Sequence, residues 1–198
     1  MQTTSRARRA LLALAILAFA TLLAATTGCA KKVTLVDVSD PNALFHFKIR
    51  SDWQSTTVQG LTLVYASPEL PKSDKLADTL TLAVYPSYDA TDVPLPEQLK
   101  GVIERRSKNR HWKSYEASEP TSITVGGRPG VSADVSGTDA NGTAFDARFY
   151  LVRTGDQQVG FFAVAPKGTL KRYEAELAAI MKDRWYWHRP ESETTATP

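Results

Sequence analysis

Between residues 43 and 188 the apolar side chains recur mostly at every second position, the spacing of strands with one buried face. Phe45, Phe47 and Ile49 alternate with His46, Lys48 and Arg50. Leu61–Tyr65 and Thr79–Tyr85 read as further strands, rich in β-branched and aromatic residues. The stretch Pro68–Ala77 between them reads as a polar loop. Ile123–Val125 leads into a turn at Gly126-Gly127.

The next segment fixes a register. With Ala140-Asn141-Gly142 as a three-residue hairpin loop, Gly142 takes the left-handed position of a bulge. Val135 then faces Ala147, Ala133 faces Phe149, and Val131 faces Leu151. On the other face Asp134 lies across from Arg148, and Ser132 across from Tyr150. Apolar meets apolar and acid meets base, so the register is self-consistent. A two-residue turn at Gly155-Asp156, glycine first, continues the meander and sets Phe149 against Phe162 and Val152 against Val159. Val159–Ala165 is apolar on both faces and is expected to be covered on both.

Two helices supply that cover. One opens at Pro94-Leu95-Pro96-Glu97, prolines and an acid suited to a first turn, with Leu95, Leu99, Val102 and Ile103 on one face. The second is expected from Thr169 to Trp185, with Leu170, Tyr173, Leu177, Ile180 and Met181 on one face. The predicted order is β-β-β-α-β-β-β-β-α. The predicted fold class is α+β: a mostly antiparallel sheet with helices packed on it as an α-β-α sandwich.

The first 28 residues follow a different rule. Arg6, Arg8 and Arg9 precede an apolar run from Ala10 to Ala25, which closes on Thr26-Thr27-Gly28-Cys29. This is the layout of a secretory signal peptide. Cys29, the single cysteine of the chain, sits where the small residues end. The segment resembles the bacterial lipobox, although Thr26 stands where an aliphatic residue is usual. That resemblance implies cleavage before Cys29 and its acylation with a diacylglycerol, palmitate among its chains. Two or more acyl chains make a stable anchor, so the domain needs no apolar surface of its own to stay at the membrane. Competing readings are an ordinary thiol in a signal peptide cut elsewhere, an uncleaved anchor, and an intermolecular disulfide. The organisation expected is a signal peptide over 1–28, a lipid-anchored tether over 29–42, the domain over 43–188 and a disordered tail over 189–198.

Charge narrows the function. The chain carries 24 basic and 21 acidic residues, and residues 1–28 hold three arginines and no acid. The remaining 21 basic residues therefore balance the 21 acidic ones. No cationic surplus is left to displace counterions from phosphates, which excludes a nucleic-acid binder working by bulk charge.

Phe47-Lys48-Ile49 followed by Trp53, the turn Val125-Gly126-Gly127-Arg128-Pro129-Gly130, the long hairpin and the terminal helix from Tyr173 to Trp185 together resemble the PsbP-like group. That group includes the lumenal extrinsic protein of photosystem II and many small bacterial lipoproteins, and the resemblance covers residues 43–187. It implies an accessory binding or assembly module rather than a shared catalytic activity.

The search for chemistry agrees. His46, His111 and His188 are far apart in sequence and sit in no metal-spacing motif. Ser132 lies in Gly-Val-Ser-Ala-Asp, which lacks the second glycine of a nucleophile elbow. The glycines at 126–130 come with neither a P-loop lysine nor a dinucleotide fingerprint. Asp134 and Asp146 are candidates for a carboxylate pair, but Arg148 is the expected structural partner of Asp134. The 68–77 loop, with Glu69, Lys72, Asp74 and Lys75, is where an overlooked site would lie. The expectation is no catalytic residue, no cofactor and no metal.

Two clusters remain as candidate surface contacts. Arg105, Arg106, Lys108, Arg110 and Lys113 gather at the end of the first helix, suited to anionic headgroups or an acidic partner, or simply to the negative end of the helix dipole. Trp185-Tyr186-Trp187-His188 is either an exposed aromatic patch, with Trp187 its candidate contact, or the closure of the core. The function expected is a lipid-anchored protein on the extracytoplasmic face of a bacterial cell membrane, acting as a non-catalytic binding or assembly module with an envelope protein as partner. A carrier for a small apolar ligand or lipid is the alternative, and an envelope hydrolase with an unrecognised site a more distant one.

Overall fold

A computed structural model describes residues 32–40, 44–67, 79–85, 88–89 and 91–188 of the chain. The leader, Cys29, the 68–77 loop and the 189–198 tail lie outside the described residues.

Alternation builds the first layer. β2 (Phe45–Arg50) buries Phe45, Phe47 and Ile49 and turns His46, Lys48 and Arg50 outward. It pairs with β1 (Leu35–Ser39) on one side and β12 (Trp185–Trp187) on the other, giving a three-stranded antiparallel sheet. β1 corrects the sequence reading, which placed residues 35–39 in the tether. Only Val38 of this strand is buried, so its sequence carries little alternation to read.

The main sheet has nine strands. β3 (Gln54–Val58), β4 (Leu61–Tyr65) and β5 (Thr81–Val84) lead to β11 (Gln157–Pro166), then β10 (Ala144–Thr154), β9 (Arg128–Thr138) and β7 (Ser114–Ala117). β6 (Tyr88–Asp89) adds to β11 and β8 (Thr121–Val125) adds to β9. All the pairings are antiparallel. The expected register holds at each pair: Val135–Ala147, Asp134–Arg148, Ala133–Phe149, Ser132–Tyr150 and Val131–Leu151. Gly142 has φ +88°, and Asp139 Oδ1 accepts from the Asn141 and Thr143 amides, which locks the loop. Phe149–Phe162 and Val152–Val159 face each other as expected.

α1 (Leu95–Asn109) lies on one face of this sheet. Its Leu99 and Ile103 join Ala133, Val135, Phe149 and Phe162 in a core layer. The helix stops where His111 adopts φ +51° and the Trp112 amide returns to the Ser107 carbonyl at 3.0 Å, a Schellman closure. The other face is covered by the small sheet and by α2 (Glu174–Asp183), with Leu177, Ile180 and Met181 buried beside Phe47, Phe161 and Trp185. β11 is thus covered on both faces. Full burial of side chains of this size contributes about 1.5–3 kcal/mol each, so with no internal disulfide possible the two apolar layers hold the domain.

The second helix differs from expectation. Leu170–Tyr173 is a 3₁₀ turn, α2 ends at Asp183, and Trp185–Trp187 is a strand rather than the helix's last turn. The apolar spacing of 177, 181 and 185 continues the helical period, which is why the sequence alone extends the helix. Tertiary pairing overrides it. Trp185 stacks between Phe45, Phe47 and Phe161 with centroids 4.8–5.0 Å away, and extended backbone lets Trp185–Trp187 pair with β2.

Candidate functional site

The three residues after β7 and the strand β8 run alongside α2, and the space between them is a groove of about 920 Å³. β9 and β10 form its floor through Ser132, Asp134, Arg148 and Tyr150, the polar face of the hairpin set by the register above. Ile123, Leu177 and Met181 give it apolar walls, and Glu119, Glu174 and Lys182 a charged rim. A second depression of about 500 Å³ shares Ser118, Asp134, Arg148 and Glu174 with the first, so the two form one trough across the sheet. Volumes near 1,000 Å³ are at the upper end for small-molecule pockets, and this one is only partly enclosed.

Arg148 organises the floor. Its Nε lies 2.5 Å from Asp134 Oδ1 and its second nitrogen 3.6 Å from Glu174 Oε1. The hydrogen bond to Asp134 raises the guanidinium pKa further above its ordinary value, against an opposing desolvation. Tyr150 beside it is 6% exposed and stacks on Phe161 at 4.6 Å. Burial pushes its phenol up to about 12, with the neighbouring Arg148 charge pulling the other way. At neutral pH the floor therefore presents the Arg148–Asp134 ion pair and a neutral hydroxyl. Ser132 Oγ lies 3.4 Å from Thr121 Oγ1. These groups can grip a polar backbone or headgroup; they are not arranged as a nucleophile with a proton acceptor.

The other sequence candidates separate. Asp146 is no partner for Asp134: it bonds Lys167 at 3.2 Å and accepts from the Gly168 amide. Arg106 leaves the basic cluster, its guanidinium lying 4.4 Å over the Phe162 ring and 5.8 Å over Tyr85. Its half-burial lowers its pKa, through desolvation first. Part of this side chain thus packs on the sheet instead of standing free with its basic neighbours. Lys108 pairs with Glu104 at 2.7 Å one turn back, while Arg105 and Arg110 are exposed. Trp185 is buried as core. Trp187 is half-buried, donates from Nε1 to the Val125 carbonyl at 2.8 Å and lies under Arg128, so it closes the core's edge rather than forming a free patch.

The groove itself was not anticipated, because its walls come from segments about 50 residues apart. A second juxtaposition was also invisible: His46 and His188 meet at 3.2 Å on the outer face of the small sheet. Among the described residues no group of three or more His, Cys, Asp or Glu side chains is placed to hold a metal. No described helix is long and apolar enough to cross a membrane.

No protein-family model matches the chain, and no curated protein matches it by sequence. Solved structures do. Cyanobacterial PsbP from Synechocystis sp. PCC 6803 superposes with a TM-score of 0.56 at 9% identity, covering 82% of this chain and 98% of that one. LpqN of Mycobacterium tuberculosis, described as involved in cell envelope biogenesis, gives 0.54 at 11% identity, covering 80% and 93%. The Ran-binding protein Mog1p of Saccharomyces cerevisiae gives 0.50 at 13%, covering 74% and 84%. The chain therefore has the Mog1/PsbP-like α+β fold that its sequence resembled.

Proposed function

We propose that this chain is an exported lipoprotein, cut before Cys29 and acylated there, whose folded domain is a non-catalytic binding or assembly module on the extracytoplasmic face of the membrane. The observation that carries the binding role is the open trough between β8 and α2, with apolar walls and the Arg148–Asp134–Glu174 cluster on its floor and rim. An open, mixed-polarity groove suits a segment of a protein partner; a carrier of small apolar molecules needs an enclosed cavity. The names of two fold relatives support the same class, one a Ran-binding protein and one involved in cell envelope biogenesis.

Anchoring leaves this trough accessible. The basic end of α1, with Arg105 and Arg110, lies on the opposite face of the main sheet from Tyr150, Leu177 and Met181. A membrane contact through α1, about 1 kcal/mol for each cation near an anionic surface, turns the trough outward.

Mass spectrometry of the membrane fraction tests the anchor. An acylated peptide beginning at Cys29, and release or misprocessing in Cys29→Ala, are expected; an unmodified N-terminus elsewhere overturns it. A photoreactive side chain at Thr124 tests the groove, and a discrete protein adduct is the expected result.

A further inference from the structure

The outer face of the small sheet holds the two histidines that the fold brings together from opposite ends of the domain. His46 Nδ1 and His188 Nε2 are 3.2 Å apart, with ring centroids at 5.0 Å and ring planes at 41°. We propose that this pair is a bidentate site for a borderline divalent transition cation, Zn²⁺, Ni²⁺ or Cu²⁺, with water filling the remaining positions.

The distance fits. Imidazole nitrogens bind such ions at about 2.0–2.1 Å, so two of them spanning roughly 90–110° at one ion stand about 2.9–3.4 Å apart. An in-line hydrogen bond would place the ring centres farther apart than 5.0 Å. Two imidazoles directed at one ion with this nitrogen spacing place their ring centres about 5 Å apart.

The rings are also held. Tyr186 pairs with His46 across β12 and β2, and its ring stacks on the imidazole at 4.8 Å and 16°. The Tyr186 hydroxyl is tied to the Asp183 carbonyl. The His188 amide donates to the Leu44 carbonyl at 2.9 Å, which extends the β12 pairing and fixes the second ligand's backbone. Such support around a ligand is what preserves metal affinity. Lys48, which sits over the Tyr186 ring at 5.8 Å, is directly opposite Asp37 on β1, so its charge on this face has an acidic counterpart. Both histidines are accessible to solvent, and imidazole is the donor these cations prefer over the hard Mg²⁺ and Ca²⁺.

The chain has three histidines and one cysteine, which makes the test clean. The full chain carrying Cys29→Ser, untagged and in detergent, is titrated calorimetrically with Zn²⁺ and with Ni²⁺. One equivalent binds in the expected result. His46→Asn and His188→Asn each weaken it at least about tenfold, since even supporting residues around a metal are worth that much. His111→Asn leaves it unchanged, and Cu²⁺ bound to the parent shows two imidazole nitrogens by electron paramagnetic resonance. Circular dichroism confirms that each variant is folded, with His46→Gln as the second variant at that strand position. No saturable binding by the parent, equal binding by all variants, or a loss at only one of the two histidines overturns the proposal.

Discussion

Arg148 on β10 stands directly opposite Asp134 on β9, and the two meet in a side-chain pair with Nε 2.5 Å from Oδ1. The same guanidinium reaches Glu174 in the first turn of α2 at 3.6 Å. One side chain thus ties the sheet to the helix at the junction of the two depressions.

Arg148→Ala removes the cation from both carboxylates and from the Tyr150 hydroxyl. Asp134 and Glu174 are substantially exposed, so solvent compensates much of the loss, and the expected cost is about 1 kcal/mol. Glu174→Gln, at the longer distance, is expected to cost less than about 0.5 kcal/mol. Denaturant titration checks both, as a shift in midpoint at constant slope.

The end of β8 makes a sharper demand. Gly126 has φ +52°, and a Cβ there would lie 2.6 Å from the Trp185 carbonyl oxygen and 2.9 Å from Trp187 Nε1. Its own amide donates to the Met181 carbonyl at 2.8 Å, so it cannot move off without breaking that bond. Gly127 also has a positive φ, +81°, but opens on empty space. Gly126→Ala is expected to destabilise the domain by about 3 kcal/mol, through strain plus backbone collision. Gly127→Ala should cost about 1–2 kcal/mol, from the left-handed conformation alone. Thermal melts of the two single variants give the comparison, and equal losses would contradict it.

Alkaline pH tests the buried phenol. Tyr150 ionises near 12 in the folded protein and near 10 when unfolded, so between these values the unfolded chain holds fewer protons than the folded one. Stability is then full below about pH 10 and falls as pH rises toward 12, by up to about 1.4 kcal/mol per unit. Tyr85, raised by burial in the same direction, adds to the fall. Tyr150→Phe should flatten part of the decline, measured by urea denaturation from pH 9 to 12.

What the sequence made legible follows the strength of local constraint. The β9–β10–β11 meander could be placed residue by residue, because Gly142 and Gly155 dictate the turns and a one-residue slip would put both Asp134 and Arg148 against apolar partners. β3 and β7 were missed: Gln-Ser-Thr-Thr-Val and Ser-Tyr-Glu-Ala lie at the sheet's two edges, bury no residue fully and so carry no alternation. β12 was missed for the opposite reason, a helical period continuing through Trp185 into a segment that pairing with β2 makes extended. The trough and the His46–His188 contact depend on pairings between distant segments, which no local pattern encodes. Arg106 read as surface charge because stacking on Phe162 leaves no trace in its own neighbours.

The central claim is that the trough between β8 and α2 receives a segment of a protein partner. Photoreactive side chains placed singly at Thr124 and Lys182, both exposed and lining it, and at Thr57 on the far edge strand β3, test it in intact cells. The account predicts a discrete adduct with one and the same protein from Thr124 and Lys182, and none with it from Thr57. Adducts of equal yield from all three positions, or lipid as the sole crosslinked species in the trough, would contradict it.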